Sequence, residues 1–142
     1  MEITAAIRTH LLEQAAIVAL VEDRIVPVRY AQGLAYPLVV VQAFRTQHLH
    51  TQRRAAGTAQ TRVQFDIYAQ DREDGASGIA QAWAIAAAIR AELGHVAARN
   101  LGGADVRSCL VDSENESEAT QTDEAGEPLA AVRAEYLIWH RL

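Results

Sequence analysis

A chain of 142 residues, half of them hydrophobic, is long enough to bury one core. With 13 basic against 18 acidic residues and a net charge of -5, it lacks the basic face of a general nucleic-acid binder. No apolar run reaches the roughly 20 residues of a membrane-spanning helix, and Glu2 and Glu13 stand where a secretory signal would carry basic residues. Cys109 is the single cysteine and cannot form an internal disulfide, which suits a reducing compartment. The expectation is a single soluble domain over residues 1–142, made in a cytoplasm. All 13 basic residues are arginine. That bias reflects either a coding sequence rich in G and C or a surface built for assembly, since guanidinium suits interfaces.

Taken in order, residues 3–21 read as a helical segment. Ile3, Ile7, Leu11, Val18 and Val21 line one side, Arg8, Thr9 and Glu13 face away, and a break is expected near 14–16. His10 lies beside the apolar side and reads as a core-edge histidine. Residues 23–28 form a short extended piece. Gln32-Gly33 and Tyr36-Pro37 then punctuate a loop, because the residue before a proline is pushed toward extended geometry. Leu38 to Phe44 is rich in β-branched residues and predicts a strand covered on both sides at its centre, with an exposed end through Arg45 to His48. Residues 49–60 read as a projecting hairpin loop.

From Thr61 to Ala69 the pattern is plainest. Val63, Phe65 and Ile67 alternate with Arg62, Gln64 and Asp66, the period of a strand with one buried and one wet face. Ile79 to Leu93 follows as a helix, with Ile79, Ala82, Ala86, Ile89 and Leu93 on one side. Asp71 or Asp74 can cap its start, and Gly94 sits where helices stop. Ala80, Ala84, Ala87, Ala88 and Ala91 leave this helix apolar or alanine nearly all round, which suggests burial on two sides, one of them by another subunit. Gly102-Gly103 turns the chain into a strand over Val106–Val111. Residues 112–127 hold seven carboxylates and no base, and read as an acidic loop. Leu129 to His140 is the last strand, with Val132, Ala134, Tyr136 and Ile138 on one face and Leu137 and Trp139 on the other. The predicted class is α+β, a mostly antiparallel sheet of four to five strands with two main helices packed on one face.

Little in the chain points to catalysis. His48-Leu49-His50 places two imidazoles on one side of an extended chain, but no third zinc ligand follows at suitable spacing; His95 or Asp66 would have to approach in space. Cys109 on a strand behaves as a small hydrophobe more readily than as a nucleophile. No glycine-rich phosphate loop opens a helix. No catalytic residue, cofactor or metal is expected. Charge is more informative. The acidic segment with Glu114, Glu116 and Glu118 and the hairpin with Arg53 and Arg54 carry opposite signs on separate loops. Such a pair suits a head-to-tail contact between identical subunits, which closes into a ring.

Several stretches, in order, resemble the tail-completion or head–tail joining family of long-tailed bacteriophages. They are Leu11-Leu12 in the first helix, Asp23-Arg24-Ile25-Val26-Pro27, Gln32-Gly33, and Tyr36-Pro37 leading into Val39-Val40-Val41-Gln42. Arg62 to Ala69, Ile89-Arg90-Ala91-Glu92-Leu93 and Tyr136-Leu137-Ile138-Trp139-His140 complete the set. The resemblance implies a small α+β subunit of a ring, typically six-fold, at the head-proximal end of the tail. That ring would end tube growth and offer the surface for head attachment. Implied partners are copies of itself, the tail-tube protein and the head–tail connector or neck proteins, with phage DNA passing through the lumen without specific binding. The implied place is the virion tail or neck, after assembly in the host cytoplasm, and no catalytic residue or cofactor comes with the family. Glu114, Glu116 and Glu118 would then line a lumen or a ring contact. The alternatives are another neck or tail-tube subunit, or a small ligand-binding or enzyme domain using His48, His50 or Cys109.

Overall fold

In the computed structural model, residues 2–28, 33–53, 55–71, 75, 77–116, 121–122, 126 and 128–142 are described, with the side chains of 55, 121 and 122 left aside. The N-terminal segment is two helices, α1 (Ile3–Leu12) and α2 (Ala15–Val21), whose axes turn by 93°. Glu2 caps α1, accepting the N–H groups of Thr4 and Ala5 at 2.9 and 3.1 Å. The turn falls where the sequence places a break, and it resets the helical phase. Ile17 and Val21 are therefore buried, whereas Val18, expected inside, is 38% exposed.

β1 (Ile25–Pro27) pairs in parallel with β2 (Leu38–His50), and β2 turns into β3 (Ala55–Ala69) as a long antiparallel hairpin. After α3 (Gly78–Leu93) come the short β4 (His95–Val96) and β5 (Arg99–Leu101), then β6 (Ala104–Glu116), β7 (Gln121–Thr122) and β8 (Pro128–Arg141). The strand order is β1-β2-β3-β8-β6-β4, with β5 on β6 and β7 on β8. The class is α+β as expected, but among the described residues the sheet has 8 strands where four to five were predicted, one pairing is parallel, and there are three helices where two main ones were predicted. β1 falls within the extended piece read at 23–28, whereas the short β4, β5 and β7 were missed because two or three residues display no periodicity.

Two boundaries also move. Residues 49–60 are largely strand, with His48 opposite Ala59 and His50 opposite Ala55, so the connection itself is short. The first five residues of the acidic segment, 112–116, continue β6 against β8. Being polar and at an edge, they lack the alternation that marks a half-buried strand.

β8 lies between β3 and β6 at the centre of the sheet, and its outer face, polar at Arg133 and Glu135, turns apolar only toward the end. Val132, Ala134, Tyr136 and Ile138 face the helices and are buried; Leu137 and Trp139 are half-buried on the opposite face. Phe65 of β3 meets the Tyr136 ring edge-on at 5.4 Å and 90°. A bulge at Arg107 shifts the phase of β6, so that Val106 and Cys109, three apart, both reach the core. Burial pushes the Cys109 thiol up to about 12, the behaviour of a small hydrophobe.

All three helices contribute to one core with the covered face of the sheet. α3 buries Ala82, Ile85, Ala86, Ile89 and Leu93 against β3, β8 and β6, while Ala80, Ala84, Ala87 and Ala91 are exposed. Within one copy, α3 is thus buried along one stripe. Ser77 accepts the Ala80 N–H at 3.4 Å and Asp71 accepts the Gly78 N–H at 2.8 Å; Asp74, the other cap candidate, lies outside the described residues. His10 is buried at the α1–α3 junction, 3.3 Å from Glu92, which is a core-edge role.

Candidate interface surfaces

Charge is distributed over this frame in three places. The first is the β2–β3 hairpin. From Ala43 to Arg53 every residue is exposed, including Phe44 at 65%. Phe44 is the extra residue of a bulge between the Ala43 and Arg45 pairings, which turns its ring outward. Arg45, His48, His50 and Arg53 give this arm a basic character. Arg53 is exposed at the tip, its N–H 3.4 Å from the Thr51 hydroxyl; Arg54 lies outside the described residues.

The second place is β6 beyond its bulge at Asp112. Glu114 accepts from the Arg90 guanidinium of α3 at 2.6 and 2.7 Å, and its side chain is only 11% exposed. Glu116 accepts from Trp83 Nε1 at 2.8 Å. Both carboxylates therefore lie on the helix-bearing side of the sheet, anchored to α3. Glu118 lies outside the described residues.

The third place is the opposite, uncovered face of the sheet. Arg133 of β8 donates to Asp66 of β3 at 2.9 Å, and Gln64 donates to the other oxygen of Asp66 at 2.9 Å. Arg62 donates to Asp112 at 2.5 Å and to Glu135 at 3.2 Å. The bond to Asp112 is the largest influence raising the Arg62 pKa, as the bond to Asp66 is for Arg133. These ion pairs across β3, β8 and β6 were invisible in the sequence, since each joins residues of different strands; their trace was the polar half of the Thr61–Ala69 alternation. A shallow recess of about 80 Å³ on this face is lined by Arg45, Gln47, Gln60, Arg62 and Leu137. That is well below the ~300–1,000 Å³ of a typical small-molecule site.

The exposed arm of β2 and the carboxylates Glu114 and Glu116 of β6 are separated by β3 and β8 and lie toward opposite ends of the sheet. Among the described residues these two groups do not meet within one copy, whereas Asp112 reaches back to Arg62 of β3. Among the described residues no three of His, Cys, Asp and Glu cluster as a metal site requires, and His48 and His50 are both exposed on the hairpin arm.

A family model described as "Tail completion protein gp17" matches residues 5–134. No match is found among curated proteins. Among solved structures 17 chains match; one, from "Virion of native gene transfer agent (GTA) particle", aligns with a TM-score of 0.70 at 16% identity, over 97% of this chain and 94% of that one. At that identity the likeness is one of fold. The family is one of phage tail structural proteins rather than of enzymes, and its place is the virion tail or neck. The chain belongs to the tail completion protein gp17 family.

Proposed function

We propose that the 142 residues act as one domain, a tail-terminator subunit that forms a ring, six-fold as is typical of such assemblies, at the head-proximal end of the tail. The ring ends tube growth and presents the surface to which the neck and filled head attach. The observation that carries this reading is family membership over nearly the whole chain. Its physical support is the placement of opposite charges on two separate edges of one sheet, which favours head-to-tail joining of copies over a two-fold pair. Glu114, Glu116 and Glu118, at a ring contact or lining a lumen, would in the second case also repel phosphate, letting DNA slide without sticking. Arg53 and Arg54 supply the complementary side of the joint.

Removing the chain during particle assembly tests the reading. Filled heads beside tails of uncontrolled length are expected in negative stain; absence of tails altogether would instead make it a tube subunit. Two sets of substitutions test the residues. Arg53→Glu with Arg54→Glu is expected to weaken ring formation by sedimentation. Glu114, Glu116 and Glu118 all replaced by glutamine should impair ring assembly or DNA passage. Indifference to both sets removes these residues from the interface.

A further inference from the structure

Each outer edge of the sheet is half covered, and the open halves lie at opposite ends. β1 pairs with β2 only at Val39–Val41, so β2 continues to His50 with no outer neighbour among the described residues. On the far side β5 and β4 cover β6 as far as Leu110, and Gly94 takes the Val111 N–H at 3.0 Å. From Asp112 to Glu116 the outer side of β6 is again unpaired among the described residues.

The direction of the backbone groups can be derived. Along a strand of L residues in a sheet, the face taken by a side chain fixes the edge that its N–H and C=O address. Core-facing Val39 donates outward to Arg24 at 2.9 Å, and Val111, packed on the core, donates outward to Gly94. Thr46 and His48 share the core-facing side through their cross-strand partners Thr61 and Ala59, both buried. Glu114 and Glu116 share it through Ala134 and Val132. Thr46 and His48 on one edge, and Glu114 and Glu116 on the other, therefore aim N–H and C=O groups away from the sheet that no strand meets among the described residues.

Sheet edges left open in this way invite another strand. Arg45 borders one edge, with Arg53 at the tip beyond it; Glu116, bonded to Trp83, borders the other beside Glu114 and Asp112, which Arg90 and Arg62 already pair within the copy. Like edges repel and unlike edges attract, so charge selects one joint out of three. Three successive antiparallel pairings make β2 and β6 antiparallel to each other, so two copies in the same orientation bring them together correctly paired.

The geometry points to a sheet that continues from copy to copy, with the open edge of β2 in one protomer adding to β6 of the next at Glu114 and Glu116. This deepens the ring reading and rests on it for the closure of the chain of copies. Measured along β8, Thr46 and His48 lie level with Ile138 and His140, and Glu116 and Glu114 with Val132 and Ala134, an offset of about six residues or roughly 20 Å at about 3.3 Å per residue. A ring without axial rise meets that offset by tilting its strands against the ring axis, as closed barrels do.

The test uses full-length chain in assembled particles and as concentrated purified protein. Thr46→Cys with Glu116→Cys, and His48→Cys with Glu114→Cys, place thiols on both edges. In one copy these edges are three strand spacings apart, roughly 14 Å, beyond disulfide reach, so any bond formed joins two copies. Mild oxidation is expected to give a covalent ladder ending at the ring number. His48→Pro removes an N–H that faces off the sheet, which an edge strand tolerates. It should leave the monomer's melting curve unchanged and lower ring formation at least tenfold. Absence of a ladder in both double variants, with His48→Pro assembling like the parent, overturns edge pairing even where tails still terminate normally. Normal tails in particles lacking the chain would overturn the terminator reading instead, and a ladder in purified protein would still support the edge joint.

Discussion

Arg90 on α3 directs one guanidinium nitrogen, Nη1, at both oxygens of Glu114 on β6, at 2.7 and 2.6 Å. The pair fastens the helix to the acidic stretch of the sheet, and so it joins the fold to the proposed interface. Arg90 is 47% exposed at its side chain, and exposed partners weaken such pairs through solvent screening. A double-mutant cycle of Arg90→Gln and Glu114→Gln should give a coupling of about 0.5–1 kcal/mol in denaturant titration. A coupling near zero would free Glu114 to act solely between copies.

A hydrogen-bonded chain runs from exposed Thr46 on β2 to buried Thr61 on β3 and His140 on β8. Thr46 and Thr61 hydroxyls are 3.1 Å apart, Thr61 lies 2.7 Å from His140 Nε2, and His140 Nδ1 is 3.2 Å from the Arg141 carbonyl oxygen. A carbonyl only accepts, so Nδ1 carries the proton, and in the neutral ring Nε2 takes the Thr61 hydroxyl. Thr61→Val preserves shape but leaves that nitrogen unmet in the core. A loss of about 1–3 kcal/mol is expected in chemical denaturation.

Tyr136 has the reverse problem. Its ring is buried, yet its hydroxyl has no hydrogen-bond partner among the described residues. Tyr136→Phe should be neutral or stabilising by up to about 1 kcal/mol, since an unmet polar atom leaves the core. Burial first, and then nearby Glu114, pushes the phenol pKa upward, as burial alone pushes Cys109 up to about 12. Both are acids held protonated by the fold. Their contribution is complete below the unfolded pKa values, near 9 for the thiol, and is lost as pH rises toward the folded ones. Alkaline unfolding followed by circular dichroism should therefore set in above about pH 9, at up to about 1.4 kcal/mol per unit per group. Tyr136→Phe and Cys109→Ala should each flatten that slope.

Gly102 turns β5 into β6 at φ 56°, and a Cβ there would come within 1.9 Å of the Ala6 carbonyl oxygen in α1. Both the left-handed backbone and the contact exclude a side chain. Gly102→Ala should cost more than about 2 kcal/mol in thermal or denaturant unfolding, because α1 must move off the turn. Gly57→Ala, at φ 75° but with open space around it, should cost about 1 kcal/mol, the backbone contribution alone.

The chain's own pattern determined a good part of this architecture. The alternation of Val63, Phe65 and Ile67, the stripe from Ala82 to Leu93 and the two-sided β8 segment each announce an element, because burial of one face leaves a period in the residues. In the structure the second apolar side of the β8 segment, Leu137 and Trp139, is half-buried on the open face of the sheet. The bend before α2 was legible as a break, but not the phase it resets, so Val18 and Ile17 exchanged places. Tertiary structure alone decided the rest. Exposed strand ends such as Leu49–His50 and Asp112–Glu116 bury no apolar side chain, so they carry no period and resemble loops until cross-strand pairing is seen. Which edges remain open depends on how far β1, β4 and β5 reach along their neighbours. That length is set by contacts between residues distant in sequence, and it is where the proposed joint between copies lies.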